Sequence, residues 1–86
     1  MKDVWEALAD QTRREILTLL KSRPHTAGEL CDQFALSAAT VSHHLKVLRE
    51  SRLVGCEKRG QTIIYFIDGN TVKETVAWLS SIDCGQ

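Results

Sequence analysis

Apolar residues recur at helical spacing along the first quarter of the chain. In the segment 3–9 they stand at i, i+1 and i+4, which predicts a short amphipathic helix, and a stripe within 11–21 predicts a second one. Asp10 is suited to cap the second helix. Pro24 ends this helical region, because proline cannot continue a helix and restricts the residue before it.

Two more helices are predicted between residues 26 and 52. The segment Thr26-Ala-Gly-Glu29 has the spacing of a capping box, so a third helix should start there and run to about Phe34. After a three-residue break at 35–37, Ser37 caps a fourth and longer helix over about 38–52. Two helices joined by so tight a turn form a helix-turn-helix unit.

The pattern changes after Leu53. Segments 54–58 and 62–67 are typical of strands, and the polar tip between them, Lys58-Arg59-Gly60-Gln61, predicts a β-hairpin with a basic end. A turn is predicted at 68–70, followed by a second capping-box pattern at 71–74 and a last helix over about 72–82. The order α-α-α-α-β-β-α predicts a winged helix-turn-helix: mainly α, with a small β-hairpin wing.

The apolar positions are more numerous than one small core requires. The middle helices already supply six core residues, namely Ile16, Leu20, Leu30, Val41, Leu45 and Leu48. The surplus on the first and last helices could complete the monomer core, or it could pack against a twofold-related partner. We expect a homodimer whose interface is formed by Val4, Trp5, Leu8, Val72, Val76 and Leu79.

Length and composition narrow the class of protein. The 86 residues are expected to form one domain, 1–86, and 43% of them are hydrophobic, as in an ordinary globular protein. No apolar run approaches the roughly 20 residues that span a bilayer. The start of the chain lacks the basic and apolar stretches of a signal peptide. These features favour a cytoplasmic protein without membrane contact.

Net charge is zero, but the charge is unevenly distributed. Residues 37–62 carry five Lys or Arg against two Asp or Glu, a local net charge of +3. Phosphate binding requires a local basic patch rather than a basic protein. The fourth helix and the hairpin tip together are therefore expected to bind double-stranded operator DNA.

The candidate DNA contacts lie opposite the core stripe of the fourth helix and at the hairpin tip. Short polar side chains near the start of a recognition helix can reach base edges, while the basic tip can contact phosphates or a minor groove. The same residues would also suit a solvated helix face and a solvated turn. The predicted contacts are Ser37, Ala39, Thr40, Ser42, His43, Lys46, Lys58, Arg59 and Gln61, with Val47 placed at the flank.

The sequence supplies little for metal, cofactor or enzyme chemistry. Cysteines 31, 56 and 84 form no CxxC pair, and the neighbouring His43 and His44 diverge by about 100° on a helix, so no metal site is predicted. No catalytic motif or cofactor motif is present. Cys31 and Cys84 are candidates for thiol-based redox sensing; alternatively, Cys31 is a small buried hydrophobe and Cys84 a tail thiol.

Three segments, in order and spacing, resemble the ArsR-type (ArsR/SmtB) family of bacterial winged-helix repressors. They are ALADQTRREILTLL, TAGELCDQFALSAATVSHHLKVLRESRLV and KRGQTIIYFI. The resemblance implies a homodimer formed by the first and last helices, with DNA contacts from Ser37 to Lys46 and near Arg59 and Gln61. Metal-sensing members carry paired cysteines after Glu-Leu, where this chain has only Cys31. The chain therefore resembles most the metal-independent, SdpR-like autorepressor branch.

Three functions are consistent with this sequence. The main interpretation is a homodimeric repressor that binds a pseudo-palindromic operator. A thiol-gated repressor would release DNA on oxidation. A winged helix used only for protein interaction would bind DNA weakly and with little dependence on salt.

Overall fold

The computed structural model describes residues 3–82 of the 86 residues. The fold is mostly helical with a small antiparallel sheet, as the hydrophobic pattern predicted. Within the described range, none of the helices has the length and apolar character needed to cross a membrane. In chain order the elements are α1 (Val4–Leu8), α2 (Gln11–Ser22), β1 (His25–Thr26), α3 (Ala27–Phe34), α4 (Ala38–Glu50), β2 (Val54–Arg59), β3 (Thr62–Ile67) and α5 (Gly69–Ser81).

Short polar side chains begin the helices. Asp10 accepts from the backbone N–H of the third residue beyond it, as Ser37 does at the start of α4. At α3 the capping box is complete: the Thr26 hydroxyl accepts from Glu29 N at 3.1 Å, and the Glu29 carboxylate accepts from Thr26 N at 2.9 Å. The predicted starts of α2, α3 and α4 are confirmed.

The start of α5 differs from the prediction. The Asp68 carboxylate accepts from the backbone N–H of Asn70 at 3.1 Å, so the helix begins at Gly69. The predicted turn at 68–70 and the second capping box at 71–74 are therefore wrong. Aspartate is as good an N-cap as threonine, and the earlier of two competent caps starts the helix here.

The helices α3 and α4 are each followed closely by a residue with left-handed backbone geometry. Ala35 has φ 54° and Arg52 has φ 66°. After each helix a backbone N–H reaches back five residues, from Leu36 to the Cys31 carbonyl at 3.2 Å and from Leu53 to the Leu48 carbonyl at 3.1 Å. This Schellman-type ending stops α4 at Glu50, two residues earlier than predicted.

Ala35→Gly should stabilise the protein. Left-handed geometry destabilises a residue that carries a Cβ by roughly 1–2 kcal/mol, and glycine avoids this cost. Glycine also loses more backbone entropy on folding, which offsets part of the stabilisation. We expect the free energy of unfolding in urea to rise by about 0.5–1 kcal/mol. The matched change Ala38→Gly lies in the right-handed first turn of α4 and should lower stability instead; equal effects of the two would contradict the argument.

The hairpin matches the predicted wing. Strands β2 and β3 pair in register from Val54 with Ile67 to Arg59 with Thr62, joined by a two-residue turn at Gly60-Gln61. Gly60 has φ 63°, as expected for the first position of a type II′ turn. Opposite Phe66, the position of Gly55 favours glycine, because an added Cβ would lie 2.7 Å from the Phe66 ring and the ring would have to shift.

A third strand, β1, was not predicted. His25 and Thr26 pair with Tyr65 and Ile64 on the free edge of β3, giving the sheet order β1-β3-β2. The buried His25 ring donates from Nδ1 to the carbonyl oxygen of Arg23 at 2.8 Å. Two residues after a proline are too short to show the alternation by which a strand is recognised, so only the partner strand defines this one.

The core lies between the helices and one face of the sheet. All six core residues predicted on the middle helices are buried. The cluster is completed by Ala7 of α1, Val47 of α4, and Leu53 and Val54 at the start of the wing. The core therefore holds the N-terminal side of the molecule, α4 and the base of the wing in one packed unit.

Candidate nucleic-acid interface

One face of α4 is buried and the opposite face is exposed. Val41, Leu45 and Leu48 pack inward, while the helix contacts α1, α2, α3 and β2. Val47, placed at the exposed flank by the sequence analysis, is buried as well, with 3% of its surface accessible. Elements on several sides widen the buried face beyond the stripe that a helical wheel predicts.

The predicted recognition residues are exposed on the N-terminal half of α4. Ala39, Ser42, His43 and Lys46 project into solvent. The exposed Ser37 hydroxyl accepts from Thr40 N at 3.1 Å and donates to Thr40 Oγ1 at 2.9 Å. Ser37 is thus mainly a helix cap. The Thr40 oxygen is the acceptor in that pair, so its proton can be donated outward.

A concave groove of about 960 Å³ separates α4 from the wing. Two cations, Lys46 and Arg49, lie on its α4 side, and one acidic residue, Glu50, lies beside them. Such a groove between a basic helix and a basic hairpin can receive a sugar-phosphate strand. It is lined by Ala39, Ser42, His43, Leu45, Lys46, Arg49, Glu50, Val54, Gly55, Cys56 and Tyr65.

The two basic residues of the wing point to opposite faces of the hairpin. Side chains alternate along a strand, so Lys58 shares the face of Cys56, which lines the groove. Arg59 lies on the other face, where its Nε is 3.2 Å from the Glu57 carboxylate. That ion pair is largely exposed and is worth less than about 1 kcal/mol, so a phosphate can replace Glu57. Gln61 is exposed in the turn.

His44 turns inward from α4, toward the start of α2. Its Nδ1 lies 3.3 Å from Nη1 of Arg13. Since a guanidinium can only donate, Nδ1 is the acceptor and the neutral ring carries its proton on Nε2. Burial lowers the pKa of His44 below its ordinary value, and nearby Arg13 and His43 also lower it, whereas the Asp10 carboxylate raises it.

This pKa shift predicts a pH dependence of stability. Below pH 6.5, the ordinary value, the unfolded chain protonates His44 before the native state does. The free energy of unfolding should therefore be unaffected by His44 above that pH and fall as pH drops toward the lowered pKa. The pKa of the Asp10 carboxylate is also lowered, chiefly by the hydrogen bond from the Arg13 backbone N–H. This shift changes the free energy of unfolding only at pH values below the ordinary 3.8 of an aspartate.

Urea unfolding between pH 5 and pH 8 at fixed protein concentration tests this prediction. In His44→Asn, the side-chain oxygen can replace Nδ1 as an acceptor but does not titrate. The decline below pH 6.5 should be weaker in this variant than in the wild type. If the free energy of unfolding of the two proteins fell equally below pH 6.5, His44 would not be the cause of the decline.

Helices α1 and α5 form an exposed apolar face. The Trp5 and Trp78 rings lie 5.4 Å apart at 58°, so the two helices are adjacent. None of the 13 residues of α5 is buried. Along this face an apolar groove of about 370 Å³ runs between α5 and the core, lined partly by Leu17, Ile67 and Val76.

The six residues predicted for the dimer interface divide into two groups. Val4, Leu8 and Val72 are half-buried and pack against the protein's own core. Trp5, Val76 and Leu79 are exposed, at 49%, 55% and 46%. Two further exposed apolar residues, Trp78 at 52% and Ile82 at 57%, extend the face. They lie beside the i, i+4, i+7 stripe from which the sequence prediction was made.

The cysteines lie in separate environments. Cys31 is half-buried and packs against the core, and Cys84 lies outside the described residues. Cys56 is also half-buried and lines the groove between α4 and the wing, a place that only the register of the hairpin reveals. Across residues 3–82, three or more His, Cys, Asp or Glu side chains nowhere come together as a metal-binding group.

Comparison with known proteins identifies the family. Residues 10–55, which include the whole helix-turn-helix unit, match the model of the bacterial regulatory proteins of the arsR family. The chain belongs to the ArsR family. As a member of the ArsR family, the chain is a transcriptional regulator and not an enzyme, in agreement with the sequence analysis.

Individual relatives cover most of this ArsR-family chain. The transcriptional repressor SdpR of Bacillus subtilis is 34% identical over 92% of the chain and 88% of its own length. The transcriptional activator HlyU of Vibrio cholerae is 33% identical over 92% of the chain and 73% of its own length. The solved structure of an ArsR-like regulator from Rhodococcus sp. RHA1 superposes with a TM-score of 0.86 at 34% identity, over 92% of this chain and 72% of that one.

Proposed function

We propose that this regulator is a homodimeric repressor that binds a pseudo-palindromic operator. The observation that carries the proposal is the continuous surface formed by the exposed residues of α4, the groove and the wing. Helix α4 would enter the major groove with Ala39, Ser42 and His43 toward the bases. Lys46, Lys58 and Arg59 would contact phosphates on either side of the DNA major groove.

The dimer is supported by the apolar face of α1 and α5. A 13-residue helix with no buried residue gains little from the monomer core, and most helices in proteins depend on such packing. A second copy of the chain would cover the tryptophan pair and the apolar groove beside it. The two α4 helices would then read half-sites about 34 Å apart.

Repression is supported by the similarity to SdpR, which is named a repressor. A dimer seated over a promoter blocks polymerase by occupying its site. Because the proposed partner is operator DNA, we expect the protein to act in the cytoplasm, as one winged-helix unit over 1–86.

Binding of the purified protein to its own promoter fragment and to a scrambled fragment, over a salt series, tests the proposal. A preference of about a thousandfold or more with a steep salt dependence is the expected result. Transcription from that promoter in vitro should fall when the protein is added. Weak and equal binding to both fragments would overturn specific binding at this promoter, and increased transcription would overturn repression.

A further inference from the structure

The guanidinium of Arg13 joins three helices. From the first turn of α2, its Nε donates to the Ala7 carbonyl at 2.9 Å and its Nη2 to the Glu6 carbonyl at 3.1 Å. Both carbonyls belong to α1. The third nitrogen, Nη1, is the one that donates to His44 of α4. Arg13 is half-buried, so these contacts lie partly out of water.

Arg13 differs in this respect from its neighbour. Arg14 also caps α1, donating from Nη1 to the Leu8 carbonyl at 2.7 Å, but that contact is exposed and no bond from Arg14 to α4 is observed among residues 3–82. Two arginines therefore hold the end of the short helix α1, and Arg13 additionally ties it to α4. Its contact residue His44 directly follows His43, which faces the proposed DNA site; the two rings lie 5.9 Å apart.

We propose that Arg13 is a positioning residue for operator binding, which fixes the recognition helix α4 relative to α1 through His44. The inference rests on the proposed function, in which α1 is part of the dimer interface. Two recognition helices must reach half-sites one DNA turn apart. A tilt between α1 and α4 in each protomer would change that separation, while leaving each α4 able to bind a single half-site.

The role requires the neutral form of His44. A proton on Nδ1 would remove the acceptor and place two cations 3.3 Å apart. The charged or titratable groups facing this ring are Asp10 and Arg13 of the α2 end and His43 of α4. Asp10 favours the protonated ring, whereas Arg13 and His43 oppose it.

The test compares affinity for a full operator with affinity for a single half-site. Wild-type protein first selects its operator from a random duplex pool, and both probes are made from the selected sequence. Arg13→Lys keeps the charge but cannot form the three hydrogen bonds of the guanidinium, and His44→Leu removes the acceptor on α4. In each variant, affinity for the full operator should fall about tenfold, while affinity for the half-site should change less than about twofold. The double variant should lose no more than Arg13→Lys alone, because both single changes break the same Arg13–His44 contact.

Two matched variants separate positioning from simple stability. Arg14→Gln weakens the other α1 cap and should leave both affinities unchanged, and His44→Asn should retain the full-operator preference. The wild-type preference should also decline below pH 6.5, whereas that of His44→Asn should not. This pH comparison needs only folded proteins, so it remains decisive if Arg13→Lys unfolds.

The outcomes distinguish the two proposals. A selected site without a twofold repeat, or equal wild-type affinity for full and half-sites, would overturn the dimeric function and this inference with it. A wild-type preference that survives Arg13→Lys and is insensitive to pH would overturn the role of Arg13 alone. Equal losses in Arg14→Gln and Arg13→Lys, or additive losses in the double variant, would also overturn it.

Discussion

Val76→Glu in α5 should separate the protomers and strongly weaken operator binding. Val76 is 55% exposed in the monomer, so the substitution leaves the core intact, but a charge buried in the proposed interface would be unpaired. Loss of the second half-site should weaken operator binding by roughly 100-fold or more, since linked sites gain that much from being joined. Sedimentation equilibrium and operator titration measure the two effects.

Ala77→Glu is the matched control for this prediction. It places the same charge on the next residue of the same helix, about 100° away and outside the apolar stripe. Both variants should show the helix content of the wild type by circular dichroism. A dimeric Val76→Glu protein would contradict the predicted interface, and so would equal dissociation of both variants.

The elements that could be predicted from the sequence are those fixed by local chemistry. Asp10, Thr26 and Ser37 carry the oxygen that their helix N-terminus needs, so the starts of α2, α3 and α4 follow from the residues alone. Buried positions of α4 were predictable for a similar reason, because Val41, Leu45 and Leu48 repeat at helical spacing. The helix starts and the buried positions of α4 both depend on residues within one or two helical turns.

The features that escaped prediction depend on distant partners. Strand β1 exists only because β3 offers it an edge, and Val47 is buried because helices on several sides enclose α4. Similarly, Cys56 reaches the groove through the register of the wing. The contact of Arg13 with His44 joins residues 31 positions apart. No local pattern encodes such contacts.

The recognition surface shows both kinds of determinant. Which residues of α4 face outward follows from helical periodicity, and the structure agrees that Ala39, Ser42, His43 and Lys46 are exposed. The separate orientations of Lys58 and Arg59 follow instead from the hairpin register. The proposed base recognition by α4 and the proposed phosphate contact by the wing can therefore be tested by separate substitutions.

His43→Ala should weaken specific binding selectively. His43 is exposed on the outer face of α4, where a ring nitrogen can form a hydrogen bond with a base edge. Loss of such a contact costs about 1–3 kcal/mol, so affinity for the selected operator should fall roughly 5- to 150-fold. Affinity for a scrambled duplex should change less than about twofold. Titration of both duplexes at one salt concentration gives the specificity ratio.

Arg59→Ala should affect both duplexes equally. Removing one phosphate contact weakens binding without regard to sequence and lowers the slope of log affinity against log salt by about 1. The substitution also leaves Glu57 without the ion pair that Arg59 now provides, so the comparison includes Arg59→Ala with Glu57→Gln to remove that added repulsion. Lys73→Ala on α5 changes net charge equally at a residue that does not line the groove and should leave the slope unchanged.

An unchanged specificity ratio in His43→Ala would mean that another face of α4 reads the bases. An unchanged salt slope in Arg59→Ala would mean that the wing tip does not contact phosphate.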